Sequence, residues 1–218
     1  MFTSAPNDTY IPLTILSFAV EYHFAGLTPF IYYLNNLLLH LGVTLLVFFF
    51  ARQLHLSRKA AFLAGLFFGI HPMHVEPVAW ATQRKDVLYA FFYMLALVDY
   101  LRYVRGQGRL AYGRSLCWAL LSILAKPMAV SLPLILFLLD WWEARRFSRQ
   151  TVQEKLPFFV MMIFFGAMTY IHFARVPGAG AGSGLLIWIW TAAFYIPKFL
   201  FPVELMPMYT LPRPVALF

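Results

Sequence analysis

The stretch His71-Pro72-Met73-His74-Val75-Glu76-Pro77-Val78-Ala79-Trp80-Ala81-Thr82-Gln83-Arg84-Lys85-Asp86 decides how the rest of the chain is read. Two histidines, two carboxylates and two cations sit there between two apolar runs, Leu63 to Ile70 and Val87 to Val98. Such runs belong to membrane helices, where a charged group costs roughly 2.5–3.5 kcal/mol at mid-helix. Ionisable residues near membrane depth are retained where they line a wet cavity or pair with one another, so they mark a candidate functional site. Pro72 and Pro77 each remove a backbone donor and disfavour helix in the residue before them. The helix is therefore expected to break here, which a membrane tolerates only where protein or water satisfies the freed backbone.

Composition agrees. Of 218 residues, 61% are hydrophobic and 12% charged, against about 25% charged in globular chains. With a mean hydropathy of +0.70, a soluble domain is excluded and an all-α, polytopic helical membrane protein is expected. The net charge of +8 follows from topology rather than nucleic-acid binding. No RNA- or DNA-binding motif is present, and the cations gather in short loops between apolar spans. Cys117 is the one cysteine; it excludes an internal disulfide and reads as a small buried hydrophobe. Met1 to Tyr10 lack a basic segment followed by an apolar core, so no signal peptide is expected, and no internal repeat is evident.

Residues 1–26 carry no Lys or Arg, which favours an outer-side segment, with a short interfacial helix around Ile15 to Tyr22. The transmembrane bundle is expected over 27–174, with about six helices, two of them short. In the first span, Pro29 to Phe50, Asn35, Asn36 and His40 share one face, where hydrogen bonding between helices is the favoured reading. Arg52, Arg58 and Lys59 mark a cytoplasmic turn. The second span starts near Ala60 and takes the motif as its outer half. The third, about Asp86 to Tyr103, leads to Arg102, Arg105, Arg109 and Arg114, with Asp99 a partner for those arginines.

Tyr112 to Trp142 is 31 residues with cations at both flanks, so an even number of crossings is expected. Two helices of about 15 residues reach only about 22 Å each against a core of about 30 Å, which puts their hinge, Lys126-Pro127, in a cavity. A single crossing with Lys126 at mid-membrane is the alternative. A further span follows at Leu156 to Ala174. Residues 175–218 are expected on the outer side, with 185–201 a surface helix. Gly178, Gly180, Gly182 and Gly184 read as a flexible connector, since no strand precedes them and no Gly-Lys-Ser/Thr follows.

The motif resembles the His-Pro-x-His-x-Glu-x-Val-x-Trp…Arg-Lys-Asp-Val-Leu signature of bacterial membrane proteins related to the TMTC family. Ala125-Lys126-Pro127-Met128, with Leu132-Pro133 and Leu138-Leu139-Asp140-Trp141-Trp142, resembles that family's Lys-Pro-Met…Leu-Pro…Leu-Leu-Leu-Asp-Tyr-Trp block. Tyr10-Ile11-Pro12-Leu13 is similar to a Tyr-Arg-Pro-Leu element with Ile11 in the arginine's place. Asn35 through His40 and Pro202 through Tyr209 are similar to shorter family patterns. These are O-mannosyltransferase-like proteins of the GT-C superfamily, often followed by tetratricopeptide repeats; no such repeat pattern follows here.

The resemblance implies a partial GT-C-like bundle in a bacterial inner membrane, with its site on the periplasmic side. It further implies transfer of a mannose-like sugar from a polyprenyl-phosphate carrier to protein hydroxyls. The lipid bilayer, the lipid-linked donor and a protein acceptor are then the partners, and nucleic acid is not one. The family's first helix and acidic pair find no counterpart, which leaves open whether the chain is active alone.

In that chemistry a lipid phosphate needs cations in a dry site. Arg84 is the first candidate for its planar fork, followed by Lys85, Lys126 and Lys198. An acceptor hydroxyl needs a base, for which Glu76, Asp86, His71 and His74 are available. Arg84 and Asp86 can equally form a structural ion pair. His71, His74 and Glu76 are spaced by three and two, unlike a helical metal-binding pair, so no metal or other cofactor is expected. A transporter or lipid-handling protein, using the same residues as a pathway, is the alternative, although no inverted repeat is seen. A membrane anchor would leave the polar cluster without a use.

Overall fold

The computed structural model describes residues 10–173 and 184–202, without the side chains of 172–173, 184–190 and 192. Readings that rest on Asp8, Arg175, residues 176–183 and 203–209, and Arg213 lie outside them, as do the Trp188 and Trp190 side chains. The described residues are helical, with no strand among them. Two compact units divide the chain, Met1–Ala179 and Gly180–Phe218.

In the first unit the helices are α1 (Pro12–Ala25), α2 (Pro29–Gln53), α3 (Arg58–Ile70), α4 (Val75–Ala79), α5 (Arg84–Val104), α6 (Arg109–Ala125), α7 (Leu132–Trp142), α8 (Arg149–Gln153) and α9 (Leu156–Phe173). In the second, α10 (Gly184–Leu200) carries Pro197 inside it. Among the described residues three stretches are long and apolar enough to cross a membrane: Pro29–Gln53, Ala81–Val104 and Arg149–Ile171. At 25 residues the first reaches about 37 Å, beyond the roughly 30 Å of a hydrocarbon core. Their outward faces stay apolar: Leu37, Leu41, Leu45 and Phe49 of α2 are all exposed, as lipid rather than water as solvent requires.

Proline sets the local breaks. Pro12 and Pro29 stand at the first turns of α1 and α2, where the missing N–H costs nothing. Pro127 forces Lys126 into extended backbone (φ −155°, ψ 134°) and ends α6. The 3₁₀ turn Pro127–Ser131 follows, then α7. The region from 112 to 142 thus runs along the bundle and back. Tyr112 at the start of α6 bonds the Glu154 carbonyl, and Asp140 at the end of α7 bonds Tyr100, while Lys126 between them pairs with Asp86 at the far end of α5. α3 stops at Ile70, short of the motif, which instead forms a 3₁₀ turn, the five-residue α4 and a second 3₁₀ turn across the end of the bundle.

Small residues let the helices close. Ser115, Ala119 and Ser122 share one face of α6 against α5, and the two hydroxyls donate to the carbonyls of Ala96 (2.8 Å) and Tyr89 (3.1 Å). Gly65 and Gly69, four apart on α3, lie against α2. A Cβ at Gly69 would stand 3.0 Å from Thr44 Cγ2. The core between α5, α6, α7 and α9 holds Tyr100, Leu101, Ile123, Leu132, Leu136, Phe158 and Met162.

The bundle has a basic end and a motif end. At the basic end Asp99 accepts from Arg102 (2.9 Å), Arg114 (3.0 Å) and the Trp118 indole (3.0 Å). Asp99 is thus the arginine partner its position implied. There Arg105 also holds Glu143 through Nε (3.0 Å) and Nη2 (2.7 Å), tying the exit of α5 to the end of α7. This guanidinium keeps the Glu143 carboxyl below its ordinary 4.5. A depressed carboxyl contributes stability above the unfolded value and loses it as pH falls through the native one. The melting temperature is therefore expected to fall below pH 4.5, with a smaller fall in Glu143→Gln; identical pH profiles would remove this pair from the account.

Candidate functional site

At the motif end the freed backbone must find partners. Asn36, fully buried on α2, donates from Nδ2 to the carbonyls of Pro77 (3.3 Å) and Trp80 (3.1 Å). One side-chain amide thus serves backbone on both sides of the break after α4, at Trp80 alongside the Gln83 amide (3.0 Å). His40, one turn further along α2, donates from Nε2 to the Gly69 carbonyl (3.0 Å) near the end of α3. The polar face of α2 therefore bonds between helices, and it serves the motif directly.

Arg84 opens α5 and is 1% exposed. Its Nε donates to Asn36 Oδ1, Nη1 to Glu21 Oε1, and Nη2 to the Tyr32 carbonyl (2.8 Å). The guanidinium also lies over the Phe18 ring, 4.9 Å from its centroid. The pairing with Asp86 considered from sequence does not form. Residues two apart on a helix point away from each other, so Arg84 turns to α1 and Asp86 to α6. Glu21, which no motif singles out, is the residue that the sequence reading misses. It accepts from Asn35 Nδ2 (2.7 Å) as well, while its Oε2 is buried with no hydrogen-bond partner among the described residues. α1 is thus strapped across the bundle's motif end, and Thr14 secures its other half by donating to the Ala125 carbonyl (3.0 Å).

Asp86 meets Lys126. The extended backbone that Pro127 imposes turns the lysine toward the first turn of α5, where an acid also suits the helix dipole. The two form an ion pair with side chains 22% and 23% exposed, open enough to be reached. Lys85 is half-buried beside it and forms no ion pair among the described residues. Glu76 is exposed and accepts from Gln83 Nε2 (2.6 Å).

The histidines gather with an aromatic. The His74 ring is 4.3 Å from Phe68, 5.5 Å from His40 and 5.8 Å from His71, centroid to centroid. His74 Nδ1 donates to the Phe68 carbonyl (2.7 Å), leaving Nε2 as an acceptor, while His71 Nδ1 accepts from the Met73 amide (3.3 Å). Burial, and secondarily the neighbouring His40 and His71, hold the His74 imidazole below its ordinary 6.5, so it is neutral at pH 7. Among the described residues no group of three His, Cys, Asp or Glu side chains could hold a metal ion. Lys198 lies in the last turn of α10, in the second unit.

The class of protein that this defines is a polytopic helical membrane protein with an ionic site built at one end of its bundle. The chain is a TMTC-like membrane protein. It is 35% identical over 185 residues to protein O-mannosyl-transferase Tmtc2 of Drosophila melanogaster, covering 80% of this chain and 19% of that one. To human protein O-mannosyl-transferase TMTC2 it is 34% identical over 160 residues, 71% of this chain and 19% of the relative. To human TMTC4 it is 33% identical over 142 residues, 59% and 19%. The chain spans about a fifth of the length of these curated relatives. No family model matches it. No solved structure matches it either.

Proposed function

We propose that this chain is the membrane-embedded part of a GT-C-type glycosyltransferase. It passes a mannose-like sugar from a polyprenyl-phosphate carrier to protein hydroxyls, at the motif end, on the outer side of the membrane. The observation that carries the reading is the Lys126–Asp86 pair, held at the helix ends within reach of solvent, in a chain similar to named O-mannosyl-transferases. Lys126 and Lys85 are the reachable cations for the carrier phosphate. Arg84 is already engaged on all three nitrogens and acts as the positioning residue that fixes the start of α5.

A phosphate drawing Lys126 away leaves Asp86 without its counter-charge, and so a better proton acceptor. The acceptor hydroxyl oxygen then bonds to the sugar's anomeric carbon as that carbon's bond to the carrier phosphate breaks. The hydroxyl proton goes to Asp86, and the phosphate leaves on Lys126 and Lys85. His74 Nε2 and Glu76 are further acceptors at the motif end.

The test is transfer of labelled mannose from polyprenyl-phosphate mannose to a Ser/Thr peptide by membranes carrying this chain. Lys126→Met and Asp86→Asn are each expected to lower turnover by about 10²- to 10³-fold. Lys126→Met should also raise the donor KM, and Asp86→Asn should leave it unchanged. No transfer by the unaltered chain, or full transfer by both variants, would overturn the reading.

A further inference from the structure

The basic end carries a second feature that sugar transfer does not use. A groove of about 520 Å³ opens there, lined by Phe137, Asp140, Trp141, Arg145, Arg146 and Phe147, together with Thr151. Its walls are apolar and aromatic, and its charged rim is unequally engaged. Asp140 is neutralised by Lys155 and by Arg145 (3.1 Å), and Arg145 also holds Glu154 (2.9 Å). Thr151 spends its hydroxyl on the Ser148 carbonyl (2.8 Å). Arg146 is exposed and has no ion pair or hydrogen bond among the described residues, so the rim presents one uncommitted guanidinium above an apolar slot.

An apolar track leads away from it. Leu134, Leu138 and Trp141 are exposed at spacings of four and three, hence on one face of α7, and run about 10 Å along the bundle's lipid-facing side. Exposed Trp141, Trp142 and Phe147 stand at this end as an aromatic belt does at a headgroup layer. A ligand that fills both parts has an anionic head and an aliphatic tail.

We infer that this groove is a binding site for an anionic phospholipid, with its phosphate on Arg146 and an acyl chain along Trp141, Leu138 and Leu134. A guanidinium matches a phosphate's oxygens in two parallel bonds, and the phosphate meets little opposition because the nearby carboxylates are already paired. The inference stands apart from the sugar-transfer reading, because it uses none of the motif-end residues.

The experiment reconstitutes the full chain in phosphatidylcholine vesicles. Quenching of Trp141 fluorescence, taken as the difference between the unaltered chain and Trp141→Phe, is measured with brominated phosphatidylglycerol and with brominated phosphatidylcholine. The anionic lipid is expected to quench with about fivefold higher apparent affinity. Arg146→Gln should abolish the preference and Arg146→Lys should keep most of it, both with unchanged melting temperatures, since Arg146 supports no other group. Equal quenching by the two lipids would make the groove ordinary boundary surface and overturn the proposal. So would a preference that survives Arg146→Gln.

Discussion

Replacing Arg84 with Met is expected to destabilise the folded chain by about 3–5 kcal/mol, because it removes one partner of a buried ion pair and strands the other. Glu21 would keep only Asn35 on Oε1, with Oε2 already unpartnered. Asn36 Oδ1 and the Tyr32 carbonyl would lose their donor together. The loss should spread, since Asn36 also satisfies the carbonyls of Pro77 and Trp80. Denaturant titration of the detergent-solubilised protein measures it. A companion variant separates charge from packing: Arg84→Met with Glu21→Met removes the orphaned carboxylate and should recover part of the loss. The coupling in that cycle is expected at about 1–3 kcal/mol. Recovery stays incomplete, because Asn36 Oδ1 still lacks the guanidinium. A single variant within about 1 kcal/mol of the parent would show that the guanidinium does not organise this end.

Proline placed the hinge well: Lys126-Pro127 ends α6 and opens the turn that leads into α7, because that signal acts locally. The partner of Arg84 was not legible, although a local rule spoke against Asp86, two residues away on the same helix. Nothing in the spacing pointed to Glu21, 63 positions earlier, because that contact exists only once α1 lies across the bundle. Gly65-Leu66-Phe67-Phe68-Gly69 carries in its four-residue spacing a small-residue pattern for helix contact. Lys155 follows Arg145, Arg146 and Arg149 in the sequence, and the positive-inside rule treats it as one more cation of that loop. The rule concerns which side of the membrane a residue faces, and burial is a separate matter: Lys155 is 0% exposed.

That lysine carries the second large expectation, since Lys155→Met should cost about 3–5 kcal/mol for the same reason as Arg84→Met. The Ser148–Thr151 capping box starts α8 and, five residues before α9 is under way, turns the chain so that Lys155 points inward. Its Nζ donates to Asp140 and to the Thr151 carbonyl (3.0 Å), with the Tyr100 ring at 5.2 Å and the Phe137 ring at 5.0 Å. Without it, Asp140 keeps Arg145 and the Tyr100 hydroxyl (2.8 Å) but loses its one fully enclosed counter-charge. Salt distinguishes this pair from the open ones around it. A buried pair is little screened, so the deficit of Lys155→Met should be the same at low and high salt. The deficit of Glu143→Gln, whose partner Arg105 is 29% exposed, should shrink as salt rises. If raising the salt erased the Lys155→Met deficit, the ammonium would have to be solvated, and the basic end would be held by α7–α9 packing alone.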